Sequence, residues 1–319
     1  MWKCQTEVIK MQNKHPSRYA AIDVGTNSIK FHIGERLSDG TWRTVIDRAE
    51  VARLGEGLKE TGMFSAQAMA RAAAAISTMA EEAQHIGVDA LAAVATMGMR
   101  NAHNAGLFIA RVQACCGVSI EVISGEEEAR LAYLAVQAGL GLPDVPLVVF
   151  DSGGGSTQFT FGHGATVDDR FSLNVGAARF TECYALNDAV SKTAVHEALA
   201  AISTELARLD AAPVPDALIG MGGAVTNMVA VKLGLATYAP DAVQGAALTR
   251  SDVERQIEQY RSCTAKERQA IIGLQPGRAE VILAGACIVK TVMEKFRMDA
   301  LTVSDRSLRH GLLIDRFPA

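Results

Sequence analysis

The stretch VVFDSGGGSTQFTFG, residues 148–162, sets three glycines behind an aspartate. Glycine lets backbone N–H groups approach an anion without side-chain interference. Gly153, Gly154 and Gly155 therefore suit a phosphate, and Ser156 and Thr157 add hydroxyl donors. Asp151 would repel a bare phosphate, yet it suits a divalent cation, because Mg²⁺ is held by one or two carboxylates together with phosphate oxygens. A second stretch, AIDVGTNSIKFHIGE at 21–35, repeats the pattern. Asp23 aligns with Asp151, Gly25 with Gly153, Ser28 with Ser156, Phe31 with Phe159 and Gly34 with Gly162. Two such loops would grip a phosphate chain from both sides. Either one alone is equally a tight turn in which glycine satisfies a positive φ.

Three further segments hold candidate chemistry. IGMGGAVTNMVAV (219–231) is a strand–glycine–helix turn that puts the amides of Gly222 and Gly223 at a helix N-terminus. It fits close packing as well as it fits a ligand. In SGEEEARLAYLAV (124–136), Ser124 and Glu127 have capping-box spacing, and the acids suit the positive helix end. Glu126 needs only a solvated first turn. Glu128 is left over, and facing a ligand it could take a proton from an attacking water. In ATMGMRNAHN (95–104), Arg100 lies just past a predicted strand, at the end where α/β sheets bind ligands. Its guanidinium could fork two phosphate oxygens, although a surface arginine fits the position equally. The Walker pattern and a helix-opening G-x-G-x-x-G are both absent from the sequence.

The elements that must position these residues come in two matching sets. Each hairpin is an apolar strand, a D-x-G turn and a strand of alternating polarity. A third strand, a helix, a strand and a helix follow in each half, so each half reads βββαβα with more helices appended. This predicts a duplicated α/β chain, two related domains facing each other across a cleft. Residues 1–18 read as a polar tail, 19–138 as the first domain and 139–319 as the second, with the hinge at QAGLGLPDVP near 139–146. The last helix, near 305–316, is expected to pack back on the first domain.

The chain has 319 residues and a net charge of −4, so no global basic field favours long nucleic acid. Six cysteines without a CxxC pair suggest reduced thiols and a cytoplasmic protein. No apolar run is long enough for a membrane span, and the first residues lack the apolar core of a signal peptide.

In order along the chain, AIDVGTNS, RLGEGL, ATMGMRNAHN, ISGEEEARLAYLAV, VVFDSGGGST, SLNVGAARFTE, IGMGGA, LQPGRAEVILAGA and VSDRSLRHGLL resemble the exopolyphosphatase/guanosine pentaphosphate phosphatase (Ppx/GppA) family. The resemblance implies two ribonuclease-H-like domains of the actin–Hsp70–sugar kinase superfamily. It implies hydrolytic release of a terminal phosphate with Mg²⁺ or Mn²⁺. Glu128 would be the catalytic glutamate, Asp151 and Asp23 would hold metal, and Arg100 would clamp a phosphoryl group. Asn27, Ser28, the 153–157 loop, Gly222 and Gly223 would cradle phosphates, with Arg53 of RLGEGL reaching substrate. The family hairpin usually ends G-G-G-S-T-E, whereas this chain has Gln158 in the acid's place. Long members carry an additional helical C-terminal region, so the expected substrate is a short polyphosphate or pppGpp. A second copy of the chain is the expected protein partner. A kinase-like ATPase and a polyphosphate or (p)ppGpp sensor that has lost its chemistry are the competing readings.

Overall fold

The structure is a computed structural model that describes residues 16–318, apart from Asn27, Pro143 and the side chain of Lys59. The predicted ligand Asn27 thus lies outside the described residues. Contacts divide the chain into two compact units, one running to Ser124 and resuming at Arg316, the other Gly125–Asp315.

Among the described residues, the first unit holds a five-stranded sheet. Its strands are β1 (Arg18–Val24), β2 (Ser28–Arg36), β3 (Trp42–Val51), β4 (Ala90–Ala95) and β5 (Ile120–Val122), in the order β3-β2-β1-β4-β5. The first three form an antiparallel meander, and β4 and β5 run parallel to β1. Strand β1 is buried over its last five residues, Ala20–Val24, as expected of a strand covered on both faces. The helix Ala66–Ile86 covers the sheet. Ser65 caps it by accepting from Ala68 N–H at 3.1 Å, and Gly87 ends it in the left-handed region.

The second unit repeats the plan in β6 (Leu147–Ser152), β7 (Thr157–His163), β8 (Thr166–Leu173), β9 (Ala217–Met221), β10 (Ala247–Thr249) and β11 (Ala300–Val303). The order is β10-β11-β9-β6-β7-β8, so β8-β7-β6-β9-β11 reproduces the first sheet and β10 is added at its edge. The likeness extends to irregularities. A register shift falls between Ile33 and Gly34 in one meander and between Phe161 and Gly162 in the other. Gly25 N–H donates to Ser28 O at 3.2 Å, and Gly153 N–H to Ser156 O at 2.9 Å. These pairs occupy aligned positions, as duplication requires.

The division falls at Ser124/Gly125 rather than at the expected hinge near 139–146. The reason is packing: the helix Gly125–Leu140 buries Tyr133 and Val136 with Leu147, Val149 and Ile219 of the second sheet. The chain end does return to the first unit, where Phe317 stacks on Tyr19 at 4.5 Å and Arg316 meets Glu121 at 3.0 Å. The helix Leu308–Arg316 itself belongs, up to Asp315, to the second unit. Residues 250–268 form two helices, Arg250–Ser262 and Ala265–Arg268, and the next long helix starts at Ile282. Thr249 and Thr264 both form capping boxes, which start a new helix at each site.

Arg268, with no exposed surface, ties the helical layer of the second unit together. It donates to the carbonyls of Tyr260 (2.8 Å), Leu186 (3.0 Å), Ala279 (3.2 Å) and Asp188 (2.7 Å). Arg268→Met would fill the volume but leave buried carbonyls without donors. A loss of about 3–5 kcal/mol is expected, read as a lowered thermal midpoint.

Candidate functional site

In each unit the candidate residues gather at the carboxyl ends of the parallel strands, where α/β sheets bind ligands. In the first unit, β1 leads to Gly25 and the hairpin, and β4 leads to the short helix Met97–Asn101 that carries Arg100. Thr26 joins three predicted segments. Its carbonyl accepts from Gly55 N–H at 2.7 Å, which ties RLGEGL to the hairpin. A Cβ at Gly98 would stand 2.2 Å from Thr26 Cγ2, and one at Gly55 would stand 2.9 Å from Thr26 Cβ. Only glycine lets both segments pack this closely. Arg53, exposed, has a left-handed backbone with φ 47, a strained state for a non-glycine residue. Arg100, also exposed, donates to the carbonyl of Ile123 just past β5. Hairpin, Arg53 loop and Arg100 helix are therefore one assembly.

Asp23 is 4% exposed and accepts from Lys30 Nζ at 3.1 Å. Its cross-strand partner is that lysine. A cation already offsets the carboxylate, so Asp23 reads as half of an ion pair rather than as a ready metal ligand.

The second unit differs at this point. Asp151 pairs across the strands with Gln158, the aligned counterpart of Lys30. Here the cross-strand partner is neutral. Asp151 is half-buried and lies against Gly222, whose added Cβ would stand 2.6 Å from its Oδ1 and from Ser152 O. Gly222 has φ 91 and caps the helix Gly223–Leu233. Ser152, 3% exposed, buries a hydroxyl that has no hydrogen-bond partner among the described residues.

The glycine loop is held from below. The first amides of the helix Ala177–Tyr184 donate to it: Ala177 to Gly153 O at 2.9 Å and Ala178 to Gly154 O at 2.8 Å. The carbonyls are thereby occupied, while Gly154 and Gly155 stay exposed. Gln158 donates to Ser156 Oγ at 2.7 Å and to Ser172 Oγ at 3.2 Å. Because Ser156 accepts, its own proton remains available for an anion. Thr157 departs from expectation. It has no exposed surface, and its hydroxyl donates to Val175 O at 2.5 Å, so it braces the loop instead of offering a donor.

Glu128 lies half-buried in the first turn of the helix Gly125–Leu140. Its two acidic neighbours have ion-pair partners: Glu126 meets Arg170 of β8 at 2.6 Å, and Glu127 meets Arg130 at 2.8 Å. Arg130 also reaches Asp315, and the hydrogen bonds it donates to the Glu127 and Asp315 carboxylates raise its pKa.

Sequence reasoning passed over Arg278. Its guanidinium lies against Gly223, where a Cβ would stand 2.6 Å from its Cζ. It is exposed and makes no side-chain hydrogen bond or ion pair among the described residues. The Pro-Gly ahead of it signals a turn, but nothing local tells which strand end the turn meets. A cavity of about 480 Å³ in this unit belongs elsewhere. Lined by Phe161, Phe171, Pro213 and Pro215, it sits at the amino ends of β6 and β9, away from the glycine loops.

Two duplicated α/β domains with glycine-lined strand ends define an actin-like, phosphate-handling enzyme fold. The chain belongs to the Ppx/GppA phosphatase family, whose model matches residues 35–319. It is thus an enzyme of the hydrolytic phosphatase class. It is 30% identical to exopolyphosphatase 2 of Mycobacterium tuberculosis over 321 residues, covering 93% of this chain and 98% of that one. The crystal structure of the Aquifex aeolicus Ppx/GppA phosphatase (type II variant) superposes with a TM-score of 0.87 at 32% identity, covering 94% and 99% of the two chains. An exopolyphosphatase from Cytophaga hutchinsonii gives a TM-score of 0.79 at 25% identity, covering 94% and 97%. The family match begins at the end of the first hairpin, so it is the internal repeat that ties residues 21–34 to the second loop.

Gly222→Ala is expected to force the added methyl onto Asp151 and to strain a positive φ. The cost should be about 1–3 kcal/mol, seen as a lower thermal midpoint.

Proposed function

We propose that the protein releases orthophosphate from the end of inorganic polyphosphate, with short chains preferred. The observation that carries this reading is the paired construction. Each unit offers donors at its strand ends, and each holds an exposed arginine there, Arg100 in one and Arg278 in the other. In the second unit, Gly154, Gly155, Ser156, Gly222 and Gly223 are the phosphate donors, while Gly153, whose N–H already donates to Ser156 O, closes the turn. In the first, the donors are Ser28, Arg53 and Arg100.

Glu128 accepts a proton from the attacking water. The water oxygen bonds to the terminal phosphorus as the bridging P–O bond breaks, and the electron pair leaves on the shortened chain. Arg278 in the second unit and Arg100 in the first each bind phosphate oxygens. A divalent cation, Mg²⁺ or Mn²⁺, would be held by Asp151, whose neutral cross-strand partner and glycine cradle fit such a ligand. When bound, it supplies charge neutralisation for the phosphate oxygens. Asp23, paired with Lys30, is assigned to shaping the first hairpin. pppGpp presents the same terminal anhydride, and the Gln158 substitution is the observation that favours a weakly catalytic binding protein. The unpaired thiols of the described cysteines fit a cytoplasmic setting.

Phosphate release should be measured from tripolyphosphate, longer polyphosphates and pppGpp, with Mg²⁺ and with Mn²⁺. Short polyphosphate is expected to be turned over fastest. Tight binding without release from any of them would establish the sensor reading instead. Glu128→Gln should lower turnover by about 100-fold or more, and wild-type rates in that variant would remove Glu128 from its role. Gln158→Glu should tighten Mn²⁺ binding about tenfold by calorimetry, since cation affinity follows ligand charge. The same variant should melt at a lower temperature without metal, because it sets two carboxylates opposite each other.

A further inference from the structure

Arg278 has a long, exposed side chain whose guanidinium rests on Gly223 without help from an acid of its own. Holding such a chain in one place costs conformational entropy unless its base is rigid. The base is the turn Pro276–Arg278, and the floor is the first turn of the helix Gly223–Leu233. One side chain touches both. Asn227, 1% exposed, donates from Nδ2 to Gly223 O at 2.8 Å and accepts at Oδ1 from Gln275 N–H at 2.8 Å. Gln275 O in turn accepts from Arg278 N–H at 2.8 Å, which closes the turn. Just upstream, Gly273 (φ 90) lies so near the same helix that a Cβ would stand 2.3 Å from Ala230 O. The segment is thus docked on the helix before Asn227 sets its final register.

We propose that Asn227 is a positioning residue. Its buried amide brackets the 275–278 turn to the start of the Gly223–Leu233 helix and so holds Arg278 in place for phosphate. This rests on the phosphatase reading above and adds a residue that acts only through Arg278. The amide is suited to the task because it donates and accepts at once, whereas a carboxylate could not donate to Gly223 O.

The test is a double-mutant cycle on the full-length protein with tripolyphosphate and Mg²⁺. Asn227→Ala should raise KM about tenfold and change kcat far less, the signature of lost binding common to ground and transition states. In an Arg278→Ala background the same change should add almost nothing. The near-isosteric Asn227→Asp keeps the core filled and should show the same pattern. A KM within about twofold of wild type, or effects that multiply in the double variant, would overturn the proposal. Amide hydrogen exchange provides a readout that needs no substrate. Exchange at Gln275 and Arg278 should quicken about tenfold in Asn227→Ala, and unchanged protection there would sink the bracket. Wild-type protein that neither binds nor cleaves tripolyphosphate would defeat the phosphatase reading, leaving the exchange result to decide the bracket on its own.

Discussion

Backbone packed against backbone without an intervening Cβ is the constraint on which the candidate site depends. At Gly222 the helix start presses on Asp151 and Ser152. At Gly176 the helix start presses on Gly154, where an added Cβ would stand 2.3 Å from its carbonyl oxygen. At Gly98 and Gly55 two loops close on Thr26. Each contact brings a helix or loop to the carboxyl end of a parallel strand, and each would be lost with a methyl group. The glycines therefore do two things: some leave amides open to a ligand, and others let the frame close around them.

Duplication supplied the frame twice, and electrostatics then separated the copies. The two meanders share strand order, register shift and turn hydrogen bond. They differ at the residue opposite the aspartate. Lys30 neutralises Asp23, while Gln158 leaves Asp151 facing an amide and turns toward Ser156 and Ser172. A single cross-strand position thus gives one aspartate a cationic partner and the other a neutral one. The departure that stood out in the sequence as a missing acid also orients the Ser156 hydroxyl as a donor.

The hairpins, the helix carrying Glu128 and the strand preceding Arg100 were legible in sequence because each depends on local signals. These were apolar alternation, a D-x-G turn, and acids at a helix start. Thr157 was misjudged because its hydroxyl looks like a donor until Val175 is seen to occupy it. Arg278 was passed over because nothing local marks Gly223, 55 positions earlier in the chain, as its neighbour. The unit boundary was misplaced because QAGLGLPDVP breaks a helix without revealing which sheet that helix covers.

The sequence by itself determined the repeat, the order of strands and helices, and the residue types able to handle phosphate. Periodicity and glycine placement act over a few residues, so a linear reading captures them. Tertiary structure decided which of those groups remain available. Asp23 met a lysine, Thr157 met a carbonyl, and Arg278 came to rest on Gly223 with Asn227 beneath it. Hydrogen bonds and ion pairs between distant segments settle whether a polar group is already satisfied or free for a ligand, and only the folded chain brings those segments together.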